Sequence, residues 1–187
     1  MILYHTGFAE IRKPDIHYGR RNADFGQGFY LTGDRAFAQR WARERGGQTT
    51  ILNQYELTTE GLRIREFDRD ADWFDYIYAN RNGRPDSLAE YDLIIGPIAN
   101  DTIYDTLGIT TSGFLSREES LKLLLIGPAY RQFAVKTDKA VSQLVWTGAE
   151  ILSSETVAGY RGTVLREEAE YQELFAAVLE QIVSEKE

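Results

Sequence analysis

Short segments in which apolar and polar residues alternate occupy much of this chain, and most have the length of a β-strand. Val, Ile, Tyr and Phe are frequent in these segments, and Gly, Pro, Asn or Asp separate them, as is typical of strands joined by turns. The pattern predicts seven strands, over residues 2–5, 28–32, 49–58, 62–67, 92–96, 131–137 and 142–147. A polar loop over residues 8–27 separates the first two strands.

Other segments repeat their apolar residues at helical spacing. Asp34 is an N-cap residue type placed directly before an apolar helical pattern. Helices are predicted over residues 35–45, 70–81, 102–108, 116–126 and 163–184, with a short link at 138–141. The last helix is amphipathic. Interspersed strands and helices in 187 residues predict one α+β domain, residues 1–187, with its core over about 2–148.

Composition narrows the range of partners and locations. The net charge of −8 disfavours nucleic acid as a partner without excluding it, because Arg20 and Arg21 form a local basic cluster. Two histidines and no cysteine disfavour a metal site, and we expect none. The lack of cysteine and of long apolar runs leads us to expect a cytoplasmic protein with no membrane association.

Three strings carry the candidate chemistry. His5 ends a strand in "LYHTG", Tyr30 lies in "GQGFYLT", and Gln132 begins a strand in "RQFAVKTDKAVSQL". Cleaving the bond between nicotinamide and ribose in NAD passes through a cationic, oxocarbenium-like transition state, so an enzyme must orient the ribose and offer the nicotinamide an aromatic face. A strand histidine beside a glycine turn and an aromatic residue on a neighbouring strand meet those needs.

In their order, the three strings resemble the ADP-ribosyltransferase fold of the diphtheria-toxin and poly(ADP-ribose) polymerase branch. That branch carries His, Tyr and Glu on three core strands, in strings of the form "HG(S/T)", "GKGIYFA" and "NEYVVYDxAQ…L". The resemblance covers residues 2–148 and implies a split mixed sheet of short strands flanked by helices. The chain is also similar to a bacterial family known only as a domain of unknown function, which shares "DFGxGFY" and the "GPIAND" segment at 96–101.

The resemblance implies that NAD is the substrate and that ADP-ribose is transferred once to an acceptor, most simply a protein. His5 would bond a ribose hydroxyl, Tyr30 would stack on the nicotinamide, and Gln132 would bond the 2′-hydroxyl. The residues expected to contact NAD besides these three are Thr6, Gly7, Arg20, Arg21, Gly28 and Phe29. Arg20 and Arg21 would lie near its phosphates.

The chain departs from the family pattern at two positions. Thr6 stands between His5 and Gly7, where the family has glycine directly after the histidine. Gln132 is neutral where the family has an anionic Glu, and an amide cannot stabilise the cationic transition state as a carboxylate does. This change argues against polymer formation and for single transfer, NAD hydrolysis or a silent site.

Several alternatives therefore stay open. The chain could be a silent module that binds NAD or a partner protein, or the toxin of a bacterial toxin–antitoxin pair, with an antitoxin or the product of a neighbouring gene as its partner. Asp101 and Asp138 are candidates for the base that would deprotonate an acceptor.

Overall fold

Strands of the protein form two sheets in a computed structural model that describes residues 1–42, 46–99, 114–127 and 129–185. The strands are β1 (Ile2–Gly7), β2 (Phe29–Leu31), β3 (Thr50–Leu57), β4 (Ile64–Glu66), β5 (Leu93–Pro97), β6 (Arg131–Val135) and β7 (Leu144–Leu152). The first sheet is antiparallel with the order β1–β3–β7. The second has the order β2–β6–β5–β4 and is mixed, because β4 and β5 run parallel.

The helices begin where short polar residues cap them. They are α1 (Arg35–Arg40), α2 (Ala71–Arg81), α3 (Arg117–Leu124), α4 (Asp138–Ser142) and α5 (Ser154–Ser184). In each case a side-chain oxygen accepts a hydrogen bond from a backbone N–H of the first turn, and the capping residues are Asp34, Asp70, Ser116, Thr137 and Ser153. Each helix start is therefore fixed by local sequence.

The second sheet is covered on both faces. Phe29 and Leu31 of β2 point towards the first sheet, in a cluster with Leu3 and Tyr55. Tyr30, between them, points the other way, towards the aromatic cluster that includes Trp73 of α2. Alternate residues of one short strand thus belong to two different cores.

Two helices cover the outer face of the first sheet and extend from it. Ala38 of α1 and Val157 of α5 pack with Leu52 of β3. Near its other end α5 packs on α3, where Ile182 contacts Leu123 in a separate cluster. Among the described helices, none combines the length and the apolar character needed to cross a membrane.

The expected α+β class and the C-terminal helix are confirmed, and the strands form two sheets. The expected start of that helix at residue 163 is wrong, because α5 begins at Ser154 and includes Gly159 and Gly162. Glycine disfavours a helix interior, and burial of Val157 against the first sheet offsets that cost.

Smaller differences occur elsewhere. The predicted link at 138–141 is the short helix α4, which Thr137 caps, and β7 continues to Leu152. The helix α1 ends at Arg40, earlier than predicted. The helix predicted over 102–108 lies outside the described residues.

Gly28 provides a direct test of how closely β2 approaches β6. A β-carbon added at Gly28 would lie 2.7 Å from the carbonyl oxygen of Val135, which is backbone and cannot turn away. We expect Gly28→Ala to lower the free energy of unfolding by about 2–3 kcal/mol, measured by urea denaturation. Gly159→Ala is the control, because its β-carbon meets nothing within 4 Å in a helix, and it should be neutral or stabilise by up to about 1 kcal/mol. Equal effects would contradict the close contact.

Candidate functional site

The two sheets meet at one backbone bridge and separate directly beyond it. Tyr4 and Thr32 exchange hydrogen bonds of 2.8 and 3.0 Å between N–H and carbonyl groups. Continued in register, that bridge would pair His5 with Leu31, but within residues 1–42 no second backbone pair of β1 with β2 forms. We call the place where β1 and β2 diverge the strand split, with Thr6 and Gly7 of β1 on one side and Gly28, Phe29 and the backbone of Tyr30 on the other.

His5 lies where the strand split begins. Its Nδ1–H donates to the carbonyl oxygen of Tyr30 at 2.7 Å, so the side chain takes the place of the missing backbone bond. The carbonyl can only accept, so Nδ1 carries the proton and Nε2 is left as an acceptor. The imidazole also packs on the ring of Phe29, with the ring centroids 4.5 Å apart. His5 therefore joins the two sheets while it presents one acceptor nitrogen near Gly7.

Burial lowers the pKa of His5 below its usual value of 6.5, although the hydrogen bond to the Tyr30 carbonyl acts in the opposite direction. The histidine is therefore neutral at neutral pH. A neutral imidazole with a free Nε2 suits a hydroxyl donor better than an anionic ligand.

The segment after β1 is held over His5 by polar side chains of β3. Asn53 faces His5 across the sheet; its Nδ2 donates to the Ala9 carbonyl and its Oδ1 accepts from the Ile11 N–H, both at 2.9 Å. The Tyr55 hydroxyl donates to the Ile11 carbonyl at 2.7 Å. These buried bonds fix the start of the loop over residues 8–27 beside the strand split.

The Tyr30 hydroxyl is committed to its own loop. It donates to the carbonyl of Gly26 at 2.7 Å and accepts from the N–H of Phe25 at 2.9 Å. Burial, together with the nearby carboxylate of Asp24, raises the pKa of Tyr30 well above its usual value, so the phenol stays protonated.

Gln132 is buried and bonded to an acid. Its Nε2 donates to Oδ2 of Asp24 at 2.8 Å, and the same carboxylate accepts from Nε of Arg81 at 2.8 Å. The N–H of Ala99 donates to Oδ2 as well, at 3.2 Å. An anion is therefore present beside the position where the related family has its Glu, but it belongs to Asp24 and is paired with Arg81.

Arg20 and Arg21 are exposed in the loop that leads to β2. The preceding turn is held against β2, because Nε2 of Gln27 donates to the carbonyls of His17 and Gly19 at 2.7 and 3.1 Å. Gly19, directly before Arg20, therefore lies against Gly28, whose carbonyl oxygen would be 2.6 Å from a β-carbon added at Gly19.

The structure describes one of the two candidate bases. Asp138 is exposed at the start of α4, beyond the opposite end of β6 from Gln132, roughly 15–20 Å along the chain. Asp101 lies outside the described residues. Among the described residues, no three His, Asp or Glu side chains cluster in a way that could hold a metal ion.

The expected site residues therefore come together only in part. His5, Thr6, Gly7, Gly28 and Phe29 surround the strand split. The side chains of Tyr30 and Gln132 share the other face of the second sheet, where β2 pairs with β6. Whether these residues bind NAD stays a prediction.

Sequence reasoning missed the buried acid beside Gln132. Asp24 is the first residue of an Asp-Phe-Gly string like that of protein kinases, and this likeness does not indicate that Asp24 pairs with Arg81. Its presence in the shared string "DFGxGFY" was the available signal, since a buried structural acid must keep its partners.

The protein is therefore an α+β protein in which two sheets separate at His5. Residues 1–146 match the model of a family described as "Protein of unknown function (DUF3990)". The chain belongs to this family, which confirms the expected membership of a family of unknown function. A search of the curated proteins finds no match.

The low pKa of His5 should make stability depend on pH. The unfolded chain binds a proton near pH 6.5 and the folded protein only at lower pH, so the free energy of unfolding should fall as the pH drops below about 6.5. His5→Gln removes this group. We expect the wild type to lose more stability than His5→Gln between pH 7.5 and 5.5 in urea denaturation, with a limiting slope of about 1.4 kcal/mol per pH unit. Parallel pH profiles would contradict a buried neutral His5.

Restoring the family's acid at position 132 should destabilise the protein. Gln132→Glu would place two carboxylates in hydrogen-bond contact with only Arg81 to balance them. We expect a loss of about 3 kcal/mol in the free energy of unfolding at pH 7, and a smaller loss at pH 5, where one carboxyl takes up a proton.

A charge-swapped double variant separates repulsion from loss of packing. Asp24→Asn combined with Gln132→Glu keeps one acid and one amide in contact and should recover more than half of the stability lost. Gln172→Glu on the exposed face of α5 is the matched control and should change stability by less than about 0.5 kcal/mol. A double variant no more stable than Gln132→Glu alone would contradict the repulsion.

Proposed function

We propose that the protein is a NAD-dependent mono-ADP-ribosyltransferase that binds NAD at the strand split. The observation that carries the proposal is the arrangement of the three motif strands. Thr32 at the end of β2 bridges Tyr4 of β1, and β2 pairs with β6, so the strands that carry His5, Tyr30 and Gln132 are direct neighbours. These strings lie up to 127 residues apart in sequence, so their meeting at one strand is not a consequence of local structure.

The chemistry of His5 suits a sugar better than a charged ligand. Its Nε2 is an acceptor, and a ribose hydroxyl is a donor that can reach it without a change of protonation. Because Nδ1 is held by the carbonyl of Tyr30, the ring has a fixed orientation, which lowers the entropic cost of positioning the ribose.

Gly7 of the strand split is half-buried, so its backbone groups are partly exposed, and the atoms nearest its position for a β-carbon belong to the His5 ring and to Ile11. Exposed backbone offers hydrogen bonds to a nicotinamide carboxamide. Gly28 and Phe29 are buried, Gly28 against the Val135 carbonyl and Phe29 against the His5 ring.

The reaction proposed is a single transfer. The bond between C1 of the ribose and the nicotinamide nitrogen breaks, and nicotinamide leaves as a neutral molecule with the electron pair. A nucleophile of the acceptor then bonds to C1 and releases its proton. For Gln132 to accept from the 2′-hydroxyl, its buried side chain, which bonds Asp24, would have to turn towards the strand split. The neutral side chain gives less stabilisation of the cation than a carboxylate, so turnover is slow.

A silent NAD-binding module is the second candidate, and a specific observation favours it. Gln132, Asp24 and Arg81 form a closed buried cluster in which the acid is balanced by the guanidinium. Such a cluster leaves no uncompensated negative charge for the transition state, while the strand split would still bind NAD.

Incubation with NAD labelled on the adenylate tests the proposal. We expect labelled acceptor protein, or free ADP-ribose where water replaces the acceptor, together with nicotinamide release. His5→Ala should lower nicotinamide release at least about tenfold, because the ribose loses its orienting partner. Tyr30→Phe should retain most of the activity, because the Tyr30 side chain lies on the other face of the second sheet.

The control must separate lost function from lost folding. Tyr160→Ala removes a half-buried tyrosine of α5 that bonds Gln39, away from the strand split, and should leave nicotinamide release unchanged. All variants are compared at equal folded fraction by circular dichroism. Binding of NAD without turnover, measured by calorimetry, would support the silent module; absence of both binding and turnover would refute both candidates.

A further inference from the structure

A cavity of about 360 Å³ lies beyond the start of β2, between the loop over residues 8–27 and the end of α2. This volume is in the range of sites for small molecules. Among its lining residues are two arginines, a histidine and three residues with side-chain amides, namely Arg21, Arg84, His17, Asn22, Gln27 and Asn80. The cavity is separate from the strand split, although the same loop borders both.

The two arginines of the cavity differ from most others in the chain. In the described parts of the chain, carboxylates contact many of the arginines, among them Arg12, Arg35, Arg40, Arg63, Arg65, Arg81, Arg117 and Arg131. Neither Arg21 nor Arg84 has a carboxylate partner among the described parts of the chain, even though acids outnumber bases by eight. Two unpaired guanidinium groups on one cavity wall, in an acidic chain, indicate an anionic ligand.

The single acid in the wall does not compensate these arginines. Asp86 pairs with the buried ammonium group of Lys136, and its other oxygen accepts from the Tyr76 hydroxyl at 2.8 Å and from the N–H of Leu88 at 2.9 Å. Lys136 also donates to the Phe25 carbonyl and to Tyr76, at 2.7 and 3.1 Å. All three N–H groups of the Lys136 ammonium are therefore bonded, and its charge is balanced by Asp86. The charge of Arg21 and Arg84 is not balanced by this acid.

Arg84 is held in place at the end of α2. Its guanidinium lies over the ring of Tyr78, 5.6 Å from the ring centroid. The backbone N–H of Arg84 donates to the Ala79 carbonyl, and the backbone N–H of Gly83 donates to the Asn80 carbonyl, both at 3.0 Å. These bonds cap the last carbonyls of the helix, so the negative end of the helix is partly neutralised where an anion would lie.

We propose that this cavity binds the phosphate group of a small phosphorylated molecule, with Arg21 and Arg84 as the charged donors and the amides of Asn22 and Gln27 as neutral ones. Phosphate fits because guanidinium groups bind its oxygens through paired charge-assisted hydrogen bonds. The inference does not rest on the proposed function, since the phosphate could come from NAD or from an unrelated phosphorylated metabolite.

Calorimetry with inorganic pyrophosphate, ADP-ribose and NAD as probes tests the inference. The wild type should bind pyrophosphate and ADP-ribose. Arg84→Gln and Arg21→Gln should each weaken binding roughly tenfold, as expected for the loss of a charge-assisted hydrogen bond, and higher salt should weaken it further. Arg161→Gln is the matched control, because Arg161 is exposed on α5 away from the cavity, and it should bind as the wild type does.

The outcomes separate this site from the proposed function. Pyrophosphate binding that depends on Arg84, in a protein that neither binds nor cleaves NAD, would support the cavity site and reject the transferase. Weaker NAD binding in Arg84→Gln would identify NAD as the source of the phosphate. Failure of the wild type to bind any of the three probes at millimolar concentration, or equal binding by Arg84→Gln and Arg161→Gln, would overturn the inference.

Discussion

The buried ion pair between Asp24 and Arg81 holds together parts of the chain that are far apart in sequence. Asp24 lies in the loop before β2, Arg81 ends α2, and the same carboxylate accepts from Gln132 of β6 and from the backbone at Ala99 after β5. Removing one partner of a buried pair leaves an uncompensated charge, which typically costs about 3–5 kcal/mol. This contact, together with the bond from Asn80 of α2 to the Asp24 carbonyl, fixes the loop before β2 relative to α2.

The same pair explains why residue 132 is neutral. Nε2 of Gln132 is a donor, and the carboxylate beside it needs donors, whereas a Glu at this position would offer only another anion. The neutral amide is therefore a consequence of how the loop is anchored, not a simple loss of a catalytic acid. Any catalysis at the strand split must rely on orientation by His5 and on binding, because the nearby negative charge is balanced by Arg81.

Sequence patterns predict what is local and miss what is not. The N-cap at Asp34 and the alternation in β3 depend only on neighbouring residues, so α1 and β3 lie close to where the pattern places them. The early start of α5 has a local signal in the Ser153 cap, but the tertiary burial of Val157, which offsets the cost of two glycines, has none. The bond between Asp24 and Gln132 spans 108 residues, and no spacing rule connects the two. For the same reason the motif pattern indicates that the strands are neighbours but not how their side chains are arranged. The His5 ring packs on Phe29, whereas the Tyr30 side chain lies on the other face of β2.

The loop over residues 8–27 is long for a compact domain, where connections without secondary structure seldom exceed about 12–15 residues unless they are functional or disordered. This one is ordered by buried polar contacts: Asn53 and Tyr55 hold its start, and Arg81 and Lys136 hold its end. Ordering a loop costs conformational entropy, and a shorter turn would connect β1 to β2 without that cost. Because the loop forms one wall of the 360 Å³ cavity and borders the strand split, the ligand binding proposed at these two places would account for its length.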